Sequence, residues 1–125
     1  MAKPRKPIAY VIDDDAAVRA SLKVLLEEGE GIEVLSFASA GEFLRDAAPN
    51  ENGCLVIDVD MPDVDGMSLL DRLRRNGIMT PAILVTGAGI SQSLCSAAVR
   101  HSAALFEKPL LPGELISAVK RVLGA

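Results

Sequence analysis

Short apolar runs alternate with stretches of helical spacing along the whole chain. Ile8 to Ile12, Cys54 to Ile57 and Ala82 to Val85 are nearly continuous apolar runs, the pattern of strands covered on both faces of a parallel sheet. Glu33 to Phe37 and Ala103 to Phe106 are weaker candidates of the same kind. Between these runs the apolar positions take up a helical period. Val18, Leu22, Leu25 and Leu26 fall on one helix face. Ser39 with Glu42 resembles a capping box that opens a second helix holding Phe43 and Leu44. Leu69, Leu70 and Leu73 mark a third, ended by Asn76-Gly77. Residues 91–101, rich in Ser and Ala, form a fourth, and Leu115, Ile116, Val119, Val122 and Leu123 a fifth. Strand followed by helix, five times over, predicts an α/β domain with a parallel sheet. Residues 1–7 carry three basic side chains and two prolines and read as a solvated tail, leaving 8–125 as one domain without repeat or linker.

Composition narrows the picture. A chain of 125 residues suits a single domain and can close a core without disulfides or a structural metal. Half of it is hydrophobic but only 3% is aromatic, so the core must be aliphatic. Lys and Arg number 13 against 17 acids, a net charge of −4, which argues against direct nucleic-acid binding. Cys54 and Cys95 sit in apolar or small-residue stretches and read as reduced core cysteines. With one histidine, His101, they are too few for a Cys/His metal cluster, and His101 and Arg100 read as solvent-facing. No apolar run approaches the ~18 residues of a membrane span and no leader pattern opens the chain, so a soluble, cytoplasmic protein without a membrane partner is expected.

Candidate chemistry collects where the strands end. In open α/β sheets the ligand crevice lies beyond the carboxyl ends of the strands. There the first run leads into Asp13-Asp14-Asp15, the third into Asp58, the fourth into Thr86-Gly87 and the fifth into Glu107-Lys108-Pro109. Asp15 reads as a helix cap and Glu107 as a solvated strand-end charge. Two carboxylates ~4 Å apart repel by about 4 kcal/mol at an effective dielectric of 20, so the gathered acids call for a cation. Oxygen ligands alone, in an incomplete set that leaves room for water, suit Mg²⁺ better than Ca²⁺. A metal, a carboxylate, a hydroxyl and an ammonium together suit phosphoryl transfer onto that carboxylate. The expected product is an aspartyl phosphate.

The segments YVIDDDAAVR, CLVIDVDMPDVDG, AILVTGAG and ALFEKP resemble the receiver domain of two-component response regulators, the CheY-like family. They stand in that family's order and spacing over residues 8–123, and Gly87 with the EKP is most similar to receivers of the nitrogen-fixation regulator type. The resemblance implies a doubly wound sheet of five parallel strands in the order 2-1-3-4-5 with five helices. It implies that Asp58 is the phosphoacceptor and that Asp13 and Asp14 bind Mg²⁺, Asp14 directly and Asp13 largely through water. Asp58 and the backbone carbonyl of Asp60 would complete the protein's share of the metal shell. Thr86 would donate to a phosphoryl oxygen, and Lys108 would pair with Asp58 or its phosphate. Asp65-Gly66 matches the turn after the acceptor, where Gly is expected to supply backbone freedom, and Lys108-Pro109 is expected in cis. The implied donor is a histidine kinase or phosphotransfer protein. A second copy or a downstream protein would dock on the face of the fourth helix, fifth strand and fifth helix.

Two positions depart from that pattern. Leu105 stands three residues before Lys108, where an aromatic ring usually reports phosphorylation, and Ser102 stands where Gly commonly precedes the fifth strand. The switch formed by Thr86 and Leu105 is therefore expected to be muted, and a seldom-phosphorylated interaction module is the alternative. The chain ends at Ala125, and reads either as a stand-alone receiver or as one excised from a longer regulator with a DNA-binding output domain. LVIDVD also resembles the nucleophile segment of haloacid-dehalogenase-like phosphatases, with Asp58 attacking and Asp60 as general acid. That family puts the segment on its first strand and its acidic pair near the end, the reverse of the order here.

Overall fold

The computed structural model describes residues 7–49, 52–62 and 64–124. Of the segment expected to be a tail, only Pro7 lies among them. Strands β1 (Ile8–Ile12), β2 (Glu33–Phe37), β3 (Cys54–Asp58), β4 (Ala82–Thr86) and β5 (Ala104–Glu107) form one parallel sheet in the order 2-1-3-4-5. Helices α1 (Ala16–Lys23), α2 (Ala40–Asp46), α3 (Gly66–Arg75), α4 (Gln92–Arg100) and α5 (Pro112–Leu123) connect them and close the chain. The parallel α/β sheet expected from the alternation is present in the doubly wound order that the resemblance implies, with each strand within a residue of its apolar run.

Alternation along the central strands divides the core in two. Tyr10, Ile12, Leu55, Ile57 and Leu84 face one way and pack with α2, α3 and α4. Ala9, Val11, Val56, Ile83 and Val85 face the other way, toward Leu26, Leu115 and Val119. Three of the few aromatic side chains stack edge-to-face on the first side, with ring centroids of Phe43 6.2 Å from Tyr10 and 5.2 Å from Phe37. Loop side chains set the helix starts. Asp15 accepts from the N–H groups of Ala17 and Val18, Ser39 from Glu42, Asp65 from Ser68 and Ser91 from Leu94. Glu42 returns to the N–H of Ala38, one residue before the cap. Gly77 lies at φ +79° just past α3, where only glycine is unstrained. Ser102 lies at φ +54° before β5, so the backbone there has the left-handed shape a glycine would adopt freely.

Four expectations need correction. Helix α1 runs into a π-helical segment, Val24–Glu28, whose wider turns break the simple helical spacing. Among the four residues expected on its buried face only Leu26 is fully covered, and Val18, Leu22 and Leu25 stay half-buried. Cys95 is exposed while Cys54 is buried, because α4 buries the stripe Leu94, Ala97 and Ala98 and turns Cys95 to solvent. Burial pushes the Cys54 thiol up to about 12, so it is inert. His101 continues the buried stripe and is not solvent-facing: its side chain is 10% exposed and Nε2 lies 3.4 Å from Asp71 Oδ1. Arg100 is exposed as expected.

Gly66 is the fourth correction. Its φ is not positive, so conformational freedom is not why glycine stands there. A Cβ at this position would lie 2.6 Å from the Asp58 carbonyl oxygen, 2.8 Å from Ile57 Cγ2 and 2.9 Å from Val59 Cα. The first turn of α3 thus rests directly on the end of β3, where Gly66 N–H also donates to the Val59 carbonyl. Gly66→Ala is expected to destabilise the fold by about 1–3 kcal/mol, the usual cost of overpacking. A urea midpoint unchanged from the parent would refute this packing.

Candidate functional site

Strands β1 and β3 lie side by side, but their chains leave toward opposite faces, β1 into α1 and β3 into α3. A crevice opens beyond their carboxyl ends at this reversal. The pairing of Ile12 with Ile57 puts Asp13 and Asp58 at one level. A common local device holds both: Asp13 Oδ1 accepts the Asp15 N–H at 2.9 Å, and Asp58 Oδ1 accepts the Asp60 N–H at 3.0 Å. Each is a turn closed by an aspartate on the amide two residues ahead. The second oxygens are left facing each other across the crevice.

Lys108 enters from the end of β5. Its N–H donates to the Thr86 carbonyl at 2.8 Å, and its Nζ stands 3.5 Å from Asp13 Oδ2 and 3.5 Å from Asp58 Oδ2. The following peptide, Lys108-Pro109, is cis. Asp13 and Asp58 are only 5% and 4% exposed, whereas Asp14 is open to solvent. One carboxylate oxygen from each of Asp13, Asp14 and Asp58 lies within 4.8 Å of the others. Burial raises the Asp58 pKa above the ordinary carboxylate value, with the charges of Asp13 and Asp60 adding to it. The Asp60 N–H and Lys108 work the other way. Burial alone would lower Lys108, but the carboxylates of Asp13 and Asp58 outweigh it and hold the ammonium above its usual value.

The opposite wall is the end of β4. Thr86 is buried, and its Oγ1 accepts the Ala88 N–H at 3.2 Å. The hydroxyl donates to Asp60 Oδ2 at 3.2 Å, with the Gly89 carbonyl at 3.4 Å. The same Asp60 oxygen accepts the Gly87 N–H at 2.7 Å. Leu105 lies half-buried on the side of β5 that faces α2–α4, and Glu107 is an exposed charge at the strand end. The sequence brings together Asp13, Asp14, Asp58, Thr86 and Lys108, but within the receiver pattern it gives Asp60 only a backbone role. Its carboxylate contact depends on the neighbouring of β3 and β4, so no local signal announced it. Gly66, which seats α3 beneath Asp58, was legible only as a turn residue.

A cavity of about 590 Å³ opens beside Asp58 and Lys108, between α1 and the start of α5. Val18, Leu22 and Leu25 form one wall and Leu110 and Leu115 the other. The acidic crevice therefore continues into an apolar groove. Among the described residues no helix is long and apolar enough to cross a membrane.

Comparison with known proteins agrees with this geometry. The family model for the response regulator receiver domain matches residues 9–120. The chain is 39% identical over 121 residues to the transcriptional regulatory protein FixJ of Azorhizobium caulinodans, covering 97% of this chain and 57% of that one. Among solved structures it is similar to FixJ-N, with a TM-score of 0.83 and 32% identity over 97% of this chain and 96% of that one. It is also similar to the response regulator StyR, with a TM-score of 0.86 and 34% identity over 96% of this chain and 60% of that one. The chain spans about half the length of the curated relatives it matches. With its sheet order, its acidic crevice and this match over nearly all its length, the chain belongs to the response regulator receiver family, the phosphoacceptor domains of two-component signalling.

Proposed function

We propose that Asp58 accepts a phosphoryl group from the phosphohistidine of a kinase or phosphotransfer protein. The observation that carries this reading is Lys108 Nζ standing 3.5 Å from both Asp13 and Asp58, with the donors of Thr86 and Gly87 across the crevice. A carboxylate oxygen of Asp58 forms the new O–P bond as the N–P bond to the donor imidazole breaks, and that electron pair returns to the imidazole nitrogen. Lys108 then pairs with a phosphoryl oxygen and Thr86 donates to another. The chain catalyses its own phosphorylation and slow dephosphorylation and releases no other product. The hard oxygen donors of Asp13, Asp14 and Asp58 fit Mg²⁺, with the backbone carbonyl of Asp60 as a further ligand. When bound, the metal neutralises charge on the transferring group.

The groove beside Asp58 suits an apolar helical segment of the donor, which would lie between α1 and α5 while its imidazole reaches the acid. Donor phosphohistidine is made from ATP, which places the exchange in the cytoplasm. Output leaves through the α4–β5–α5 face, where Val99 is 79% exposed, toward a second copy, a downstream protein or an output domain.

Acetyl phosphate with Mg²⁺ is expected to add one phosphoryl mass to the protein and none to Asp58→Asn, read by intact mass. A labelled Asp58→Asn protein would move the acceptor elsewhere. Millimolar Mg²⁺ is expected to raise the melting temperature, since a ligand at a hundredfold excess over Kd contributes about 2.7 kcal/mol. An equal rise in Asp14→Ala would exclude Asp14 from the site. The raised Asp58 pKa means that its ionised form costs stability at neutral pH, a cost that disappears as the pH falls below the ordinary carboxylate value of ~4. Without metal, Asp58→Asn should therefore melt above the parent at pH 7, with the gap narrowing toward pH 4. A gap that widens in acid would contradict this assignment.

A further inference from the structure

Asp60 does more than hold the acceptor through its backbone. Its side chain crosses from the end of β3 to the end of β4, and one oxygen, Oδ2, collects both the Thr86 hydroxyl at 3.2 Å and the Gly87 N–H at 2.7 Å. The second of these is short, as a charge-assisted bond should be. Thr86 has one hydroxyl hydrogen and Gly87 one amide hydrogen. A phosphoryl oxygen on Asp58 that used these donors would have to take them from Asp60. The protein thus already carries an anionic oxygen against that donor pair, tethered two residues from the acceptor.

We propose that Asp60 is a positioning residue that acts as a placeholder for the phosphoryl group. Its carboxylate keeps Thr86 and the 86–89 loop drawn toward the site before phosphorylation, and it must swing out when the phosphoryl group arrives. This rests on the phosphoacceptor reading of Asp58. Two consequences follow: phosphorylation is slowed by the bonds that must be exchanged, and Thr86 itself moves little. The departing side chain, not the threonine, is then the largest local change. Asp60 is exposed on the outer rim, so it has water to move into.

Asp60→Ala removes the carboxylate and keeps the backbone carbonyl and N–H. In the metal-free protein, the Gly87 amide, followed by NMR hydrogen exchange, is expected to exchange about tenfold faster in Asp60→Ala, as loss of one hydrogen bond to a charged group implies. Beryllofluoride with Mg²⁺ should restore its protection. Acetyl phosphate labelling should run about tenfold faster than in the parent, on the same energetic scale. Glu107 pairs with Thr86 through the strand backbone, but its side chain takes no part in the bonds of Thr86 and Gly87 to Asp60. Glu107→Gln therefore removes an equal charge from the same sheet edge and should label at the parent's rate. Equal labelling of parent and Asp60→Ala would overturn the placeholder alone, as would Glu107→Gln accelerating as much as Asp60→Ala. Labelling of neither parent nor variant would sink the phosphoacceptor reading, and this proposal with it.

Discussion

Holding like charges together with little water is the constraint around which the rest of the molecule is arranged. Asp13 and Asp58 are almost wholly buried, at 5% and 4% exposure, and charges ~4 Å apart repel by about 4 kcal/mol at an effective dielectric of 20. Two features offset that repulsion without removing it. Each carboxylate has one oxygen fixed by an amide two residues along the chain. Lys108 stands between the remaining two oxygens. Arg19 also donates to the Asp13 backbone carbonyl at 2.7 Å, which holds the turn that carries the acid. Burial first, and then the charge of Asp13, raises the Asp58 pKa, so its ionised form is held at a cost. A site left in deficit in this way is primed for a cation and for a group that brings one with it.

The two faces of the sheet serve this site differently. On the α2–α4 side the aromatic cluster and the leucines of α3 make a closed core, and Gly66 lets α3 rest on the backbone of β3. That contact fixes the height of Asp58. On the other side no residue of α1 before its π-helical segment is fully buried, and an apolar groove runs to Asp58. A rigid floor with an open approach suits the proposed meeting of Asp58 with a macromolecular donor. Lys120 and Glu30, paired at 2.6 Å, tie α5 to the chain just past the π-helical segment and close the far end of the same layer.

Asp60 joins the two halves of the crevice. Its amide holds Asp58 at the end of β3, and its carboxylate holds the donors at the end of β4. Any change of charge on Asp58 therefore reaches Thr86 through a side chain already bonded to it. Leu105, half-buried on the α2–α4 side of β5, takes no part in that network. On the proposed reading, the local signal has a polar route that needs no aromatic ring.

The order of strands and helices, the strand-end acids, the helix caps at Asp15 and Ser39 and the stop at Gly77 were all legible in the chain itself. They rest on local chemistry, namely side-chain alternation, an oxygen within reach of a free amide, and a backbone shape open to glycine. What could not be read locally depended on which elements become neighbours. Cys95 and His101 exchange their expected environments because the stripe that α4 buries is chosen by the sheet beneath it. Gly66 is a glycine because of β3, eight residues earlier in the chain, and not because of its own φ. The Asp60 carboxylate finds its partners 26 and 27 residues away. The local code determined which groups stand at the sheet's edge. Only strand pairing decided which of them touch, because contacts between distant residues are set by packing that no short window of sequence contains.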